Sequence, residues 1–247
     1  ALPILTGGTK GIGAEIARGF LSDGWYVIIA ARNKSGLAEE NHDNLKFQKM
    51  DVRVEADHQA LVKTAFNWSG SLDCYINCAG FSQWSQIKNV DETFWNKMLD
   101  INLKGTFWGC KVAAEHLSSG GSIVNVSSLA GKRGSANNSV YCATKFGVNG
   151  ITQALAKELG PKGIRVNAVC PVYVETPGLL EALKNPEAPP KGQDTAKYLK
   201  EFSESNAALE RLPKGNEIAE LCFYLSSSKA SAITGQCINV DCGVLPQ

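Results

Sequence analysis

At 247 residues and 44% hydrophobic content the chain can bury a full core, and α/β units of this length often stay one domain. A formal net charge of +1 gives none of the basic excess expected of a nucleic-acid or anionic-membrane binder. The sequence has no apolar run long enough to cross a bilayer and no basic region leading into an apolar signal core, so a cytoplasmic protein is expected.

The first expected strand, Leu2–Thr6, runs directly into Thr6-Gly7-Gly8-Thr9-Lys10-Gly11-Ile12-Gly13. Ala14 to Leu21 then carries apolar residues at helical spacing. Strand, glycine turn and helix in this order form a phosphate-binding pattern. Gly7, Gly11 and Gly13 permit a tight turn and let the backbone approach a pyrophosphate at a helix N-terminus. The second strand, Tyr26–Ala31, ends at Arg32-Asn33. A carboxylate that would bond a ribose 2′-hydroxyl is expected about 20 positions beyond the glycines, and none stands there. Arg32, with Lys10 in the glycine turn, is instead suited to a 2′-phosphate; the alternative is a surface arginine and a solvated loop lysine.

Further strands are expected at Leu45–Asp51, Leu72–Asn77, Ser122–Val126, Arg165–Val169 and Cys237–Val240. The longest helical stretches lie near Asp91–Leu117 and Ser139–Leu159. Apolar strands alternating with helices predict an α/β fold, a single doubly wound Rossmann domain over residues 1–247. Its parallel sheet of about seven strands carries helices on both faces, with ligands beyond the carboxyl ends of the strands. Residues 175–212 break the rhythm with a proline-rich stretch and a helical run through Tyr198, Leu199 and Phe202. Such an interruption is either a lid over a site or a tolerated surface insertion.

Tyr141 and Lys145 lie four apart, on one face of a helix. An ammonium beside a phenol favours the phenolate and draws its pKa down from about 10. Of the eight cysteines, the close pairs Cys74/Cys78 and Cys237/Cys242 lack zinc-ligand company, so neither a metal nor a disulfide framework is expected. His42, His58 and His116 stand in polar or amphipathic contexts and are expected at the surface.

Taken together, these motifs resemble those of the short-chain dehydrogenase/reductase family over nearly the whole chain. Asn77-Cys78-Ala79-Gly80 is similar to the family's Asn-Asn-Ala-Gly motif, with cysteine in second place. Ser128 precedes Tyr141 by the family's usual separation, and Asn102 falls where the family carries an asparagine. Pro171 to Thr176 is similar to the segment after the sixth strand, and Val240-Asp241-Cys242-Gly243 to the closing motif.

The resemblance implies an oxidoreductase that moves a hydride between NADP(H) and a carbonyl or secondary alcohol. Tyr141 would be the general acid or base, and Lys145 would lower its pKa and bind the nicotinamide ribose. Ser128 would bond the substrate oxygen, and Asn102 would hold a water in a relay to Lys145. Cofactor contacts are implied for Gly7, Thr9, Lys10, Gly11, Ile12, Gly13, Arg32, Asp51, Val52, Cys78, Ala79, Gly80, Tyr141, Lys145, Pro171, Val174 and Thr176, with Asp51 and Val52 flanking the adenine. The implied partners are a small carbonyl or alcohol substrate and copies of the same chain, as a tetramer or dimer. Val172 stands where glycine is usual, so its backbone must avoid positive φ, and Cys242 also replaces a glycine. Phe81, Trp84, Leu129, Lys132, Arg133, Asn138 and Tyr173 are candidate pocket residues, with Lys132 and Arg133 either a solvated basic turn or a site for an anionic substrate. A catalytically idle NADP(H) sensor and a subunit of a hetero-oligomeric reductase are the alternative readings.

Overall fold

The computed structural model describes residues 2–246. Seven strands among them form one parallel sheet: β1 Pro3–Thr6, β2 Val27–Ala31, β3 Leu45–Lys49, β4 Cys74–Asn77, β5 Ser122–Val126, β6 Arg165–Pro171 and β7 Cys237–Val240. Their spatial order is β3-β2-β1-β4-β5-β6-β7. From β1 the chain winds one way to β3, then returns to the other side of β1 with β4. That reversal opens a crevice beyond the carboxyl ends of the neighbouring strands β1 and β4.

Side chains alternate across the sheet, and both faces are buried. Leu5, Ile29, Ile76 and Val124 pack with Ile16, Phe20, Ile218 and Cys222 from α1 (Gly11–Ser22) and α8 (Gly215–Ser226). Ile4, Ile28, Tyr75 and Ile123 face the other way, among residues of α2 (Glu55–Ser69), α4 (Gly105–His116) and α5 (Ser139–Leu159). This is why the strands read as unbroken apolar runs. Arg165, almost wholly buried on β6, donates to the Leu225 and Ser227 carbonyls at 2.6 and 3.0 Å, so the α8 C-terminus takes its charge.

The expected strands are all present, with ends shifted by physical causes. β6 extends to Pro171 because β7 pairs with it as far as Val240. β3 stops at Lys49, two residues before the expected Asp51. The helix expected over Asp91–Leu117 is α3 (Glu92–Leu99), a π turn at Asp100–Lys104 and then α4. Asp91 caps α3 by accepting from the Phe94 amide at 2.7 Å. Residues 175–212 contain α6 (Pro177–Leu183) and α7 (Thr195–Asn206), the latter covering the expected helical run. Val172 keeps a negative φ, whereas Cys242 adopts the glycine-like φ of +54°.

One expectation is overturned. His58 is 0% exposed, bonded inside the fold, while His42 is exposed and His116 half-buried. No helix among the described residues is long and apolar enough to cross a membrane.

Candidate active site

The β1–α1 turn is packed too closely for side chains. Gly7 has φ +72°, and a Cβ there would lie 2.7 Å from the Ala79 Cα. A Cβ on Gly13 would run into the Gly7 carbonyl. The Thr6 hydroxyl accepts from the Cys78 and Ala79 amides at 3.2 and 3.3 Å, tying the Asn77–Gly80 motif to this turn. Across the crevice Gly11, at φ +54°, faces the Thr176 side chain, which caps α6 by accepting from Leu179 at 3.2 Å.

The start of α1 is open to an anion. Its N-cap Lys10 makes no side-chain capping bond, and no acidic residue lies in the first turn. The orphan N–H groups and the helix dipole therefore lack an internal counter-charge, which fits a pyrophosphate. The stretch after β2 folds over this turn, with the Leu37 amide donating to the Thr9 carbonyl at 3.1 Å. Gly36 approaches the Thr9 carbonyl, and a Cβ on it would lie 3.5 Å from the Lys10 Cγ. Lys10 in this turn and Arg32, the residue after β2, are both exposed.

Asp51 is held by Arg53, whose Nη2 lies 2.6 Å from its carboxylate. The Arg53 hydrogen bond holds the Asp51 carboxyl below its usual range, with a smaller contribution from Arg32. Ile12 packs against the core, and Gly80 sits beside Asn102, where a Cβ would be 3.6 Å from Oδ1. Val174 is buried in the core and borders a cavity of ≈ 570 Å³ between α7 and the start of α8. Neither Ser128 nor Tyr141 lines that cavity.

The proton-transfer candidates meet beyond β5. Ser128 begins a short turn at Leu129–Gly131, accepting from the Ala130 amide at 3.1 Å, and its hydroxyl lies toward the Tyr141 phenol, whose pKa it acts to lower. Ser127 instead donates to the Lys145 carbonyl at 3.3 Å. Lys145 donates to the Val126 carbonyl at 2.9 Å, its Nζ 5.6 Å from the Tyr141 ring centre. The expectation that Lys145 draws the phenol down is not met here. Burial pushes Tyr141 up to about 12, against the Ser128 hydrogen bond, and pulls Lys145 down to about 8.

Asn102 is fully buried in the π turn. Its amide bonds both polar backbone atoms of Phe81 at 2.7 Å, and its carbonyl accepts from the Thr106 hydroxyl at 2.8 Å. Cys78, beside Lys145, is pushed up to about 12 by burial and is an inert thiol.

With this geometry in view, the comparisons with known proteins decide the family. The family described as enoyl-(acyl carrier protein) reductase matches residues 7–245. The chain belongs to the short-chain dehydrogenase/reductase family. The putative ketoacyl reductase of the monensin polyketide synthase from Streptomyces virginiae is 35% identical, covering 98% of this chain and 95% of that protein. The 3-oxoacyl-acyl-carrier-protein reductase FabG of Chlamydia muridarum is 32% identical, over 98% of this chain and 96% of its own length. Among solved structures, an actinorhodin polyketide ketoreductase with NADPH superposes with a TM-score of 0.89 at 31% identity, covering 98% of this chain and 96% of that one.

In this short-chain oxidoreductase, Leu129 packs with Cys170, Val172 and Phe202. Phe81 lies under the Lys97 ammonium, 3.9 Å from its ring centre. Tyr173 contacts the rings of Phe202 and Tyr198 on α7 at 4.9 and 6.2 Å. Lys132 is half-buried and Arg133 exposed; Asn138 is buried and donates to Ser135 at 3.3 Å.

Residues 175–212 are fastened over the 81–89 loop. The Glu187 carboxylate accepts from the Gln86 amide at 2.7 Å and from Asn89 at 2.6 Å, while Asn185 donates to the Trp84 carbonyl at 3.2 Å. Three partners escaped the sequence reading: Arg53, Glu187 and His58. Only Arg53 left a local signal, standing two residues after Asp51, where a side chain can fold back onto its neighbour.

Proposed function

We propose that this protein is an NADP(H)-dependent reductase of carbonyl compounds to secondary alcohols, with Tyr141 exchanging the proton. The observation that carries the reading is the meeting of Ser128 and the Tyr141 phenol beside Lys145, at the carboxyl end of β5. The nicotinamide, when bound, gives or takes the hydride. Tyr141 holds its proton in the free protein, as a donor to a developing alkoxide must, and Ser128 binds the same oxygen. Lys145 binds the ribose and, while charged, favours the phenolate that remains. The Asn102 side-chain amide is committed to Phe81, Met98 and Thr144, so the relay water in this reading is held by the Asn102 backbone carbonyl, beside the Thr106 hydroxyl.

Two exposed cations, Lys10 and Arg32, and no carboxylate at the end of β2 support NADP(H) over NAD(H). Solved relatives carry NADPH in the actinorhodin ketoreductase and NADP in ElxO, which is 29% identical with a TM-score of 0.87. Arg32→Asp removes a charge-assisted contact to the 2′-phosphate, so NADPH affinity should fall roughly 10–100-fold while NADH improves. Titrating both nucleotides against the variant checks this; unchanged NADPH affinity would refute it.

The pH profile follows from Lys145. Its charged form persists below about 8 and is lost as the pH rises through that value, well before Tyr141 ionises at about 12. The kcat/KM for NADPH, which reports the free enzyme, should therefore be level to about pH 8 and fall above it. A profile level to pH 10 would contradict the assignment.

Residues 175–212 serve as the substrate lid in this reading, with the Tyr198 and Phe202 rings, packed on Tyr173, as its inner face. Exposed Trp95, Phe107 and Phe146 on α3, α4 and α5 suit burial between copies of the chain in a cytoplasmic dimer or tetramer. A 3-oxoacyl thioester and a sugar or polyol remain the substrate classes to separate.

A further inference from the structure

His58 has no part in the proton chemistry, yet it is the one histidine held wholly inside the fold. It lies in the first turns of α2, whose side chains grip the segment leading out of β3. Asp57 accepts from the Asp51 amide at 2.7 Å. The next residue, His58, places Nε2 2.9 Å from the Val52 carbonyl and Nδ1 2.7 Å from the Tyr75 hydroxyl on β4. Two consecutive residues of α2 therefore fix an N–H and a C=O of two consecutive residues at the crevice edge.

The partners determine the imidazole's form. A carbonyl only accepts, so Nε2 carries the proton; Nδ1 must then accept, and the Tyr75 hydroxyl donates to it. Burial lowers the His58 pKa, in keeping with a neutral ring. From the opposite side Gly105, the first residue after the π turn of Asn102, closes on Val52. A Cβ on Gly105 would lie 2.9 Å from Val52 Cγ2 and 3.2 Å from its carbonyl oxygen. Val52 is thus pinned between α2 and α4, and the His58 bond sets the direction of its peptide.

We propose that His58 is a positioning residue of the cofactor site, acting through Val52 to fix the wall against which the adenine end of the nucleotide rests. This rests on the NADP(H) reading above. A histidine that only filled the core would affect stability and leave nucleotide affinity alone. One that orients Val52 affects the adenine end of the ligand selectively and spares the hydride step.

The test compares His58→Leu with His58→Gln in the full-length protein. Leucine fills the space with no donor for Val52, whereas a glutamine amide can donate to Val52 and accept from Tyr75. The Kd for NADPH and for 2′,5′-ADP, which carries only the adenine end, should each rise about ten-fold in His58→Leu, the effect of one lost hydrogen bond. Turnover at saturating NADPH should stay within about two-fold of the parent, and His58→Gln should recover most of the affinity. Should His58→Leu fail to fold, Tyr75→Phe removes the donor to Nδ1 and should weaken both ligands by roughly three-fold.

Unchanged affinity for both ligands in a folded His58→Leu variant, or in Tyr75→Phe if that one is used, would overturn the proposal. So would a rise in Kd that His58→Gln fails to recover. A parent protein that binds neither NADPH nor 2′,5′-ADP would instead overturn the cofactor reading, an outcome visible before any variant is made.

Discussion

Replacing Tyr141 by phenylalanine should lower kcat/KM for carbonyl reduction by about 10²–10⁴-fold, the usual contribution of a positioned general acid. The substitution keeps the ring and removes one oxygen. The backbone around it stays supported, because Thr144 donates to the Tyr141 carbonyl at 2.7 Å and Cys142 donates to that of Asn138 at 2.9 Å. Ser128 keeps its bond from the Ala130 amide. NADPH affinity, set mainly at the glycine turn and Arg32, should change by less than about three-fold. Steady-state kinetics together with an NADPH titration separate the two quantities. Retained turnover in Tyr141→Phe would move the proton to another donor and dismantle the mechanism.

Gly13→Ala should have the second largest effect, through the backbone alone. The new methyl would meet the Gly7 carbonyl, with Gly8 Cα at 3.1 Å, so either α1 or the turn must shift. Overpacking of this kind costs about 1–3 kcal/mol. Strain at the anion-binding end of α1 should appear as a 5–100-fold loss of NADPH affinity, by the usual conversion of about 1.4 kcal/mol per ten-fold. A lowered Tm should accompany it. A titration showing parental affinity in this variant would mean that the phosphates lie elsewhere.

The fold was largely legible because the sheet is covered on both faces. Ile4-Leu5, Ile28-Ile29, Tyr75-Ile76 and Ile123-Val124 each send one side chain to either core, so the strands stand out as apolar runs between helices. The placement of Tyr141 and Lys145 on one helix, with Ser128 just past β5, was legible because they lie on two adjoining elements with fixed spacing.

Less local features were not legible. The π turn around Asn102 is a backbone widening inside an otherwise helical pattern, and no side-chain period announces it. His58 looked like a surface residue because its partners, Val52 and Tyr75, lie on other elements. Glu187 reaches across about a hundred positions to Gln86 and Asn89, a pairing that only the folded chain defines. The phenol's pKa misled for a related reason. Helical spacing brings Lys145 near Tyr141, but burial depends on everything packed around them, and burial is the largest cause of the upward Tyr141 shift.

The central claim is reduction of a carbonyl at Tyr141 with NADPH. Its most direct test is NADPH consumption, followed by absorbance, across ketones, 3-oxoacyl thioesters, quinones and keto-sugars, beside a direct NADPH titration. The account predicts tight NADPH binding and turnover of at least one class. Tight binding with no turnover on any of them would contradict it and favour a cofactor sensor.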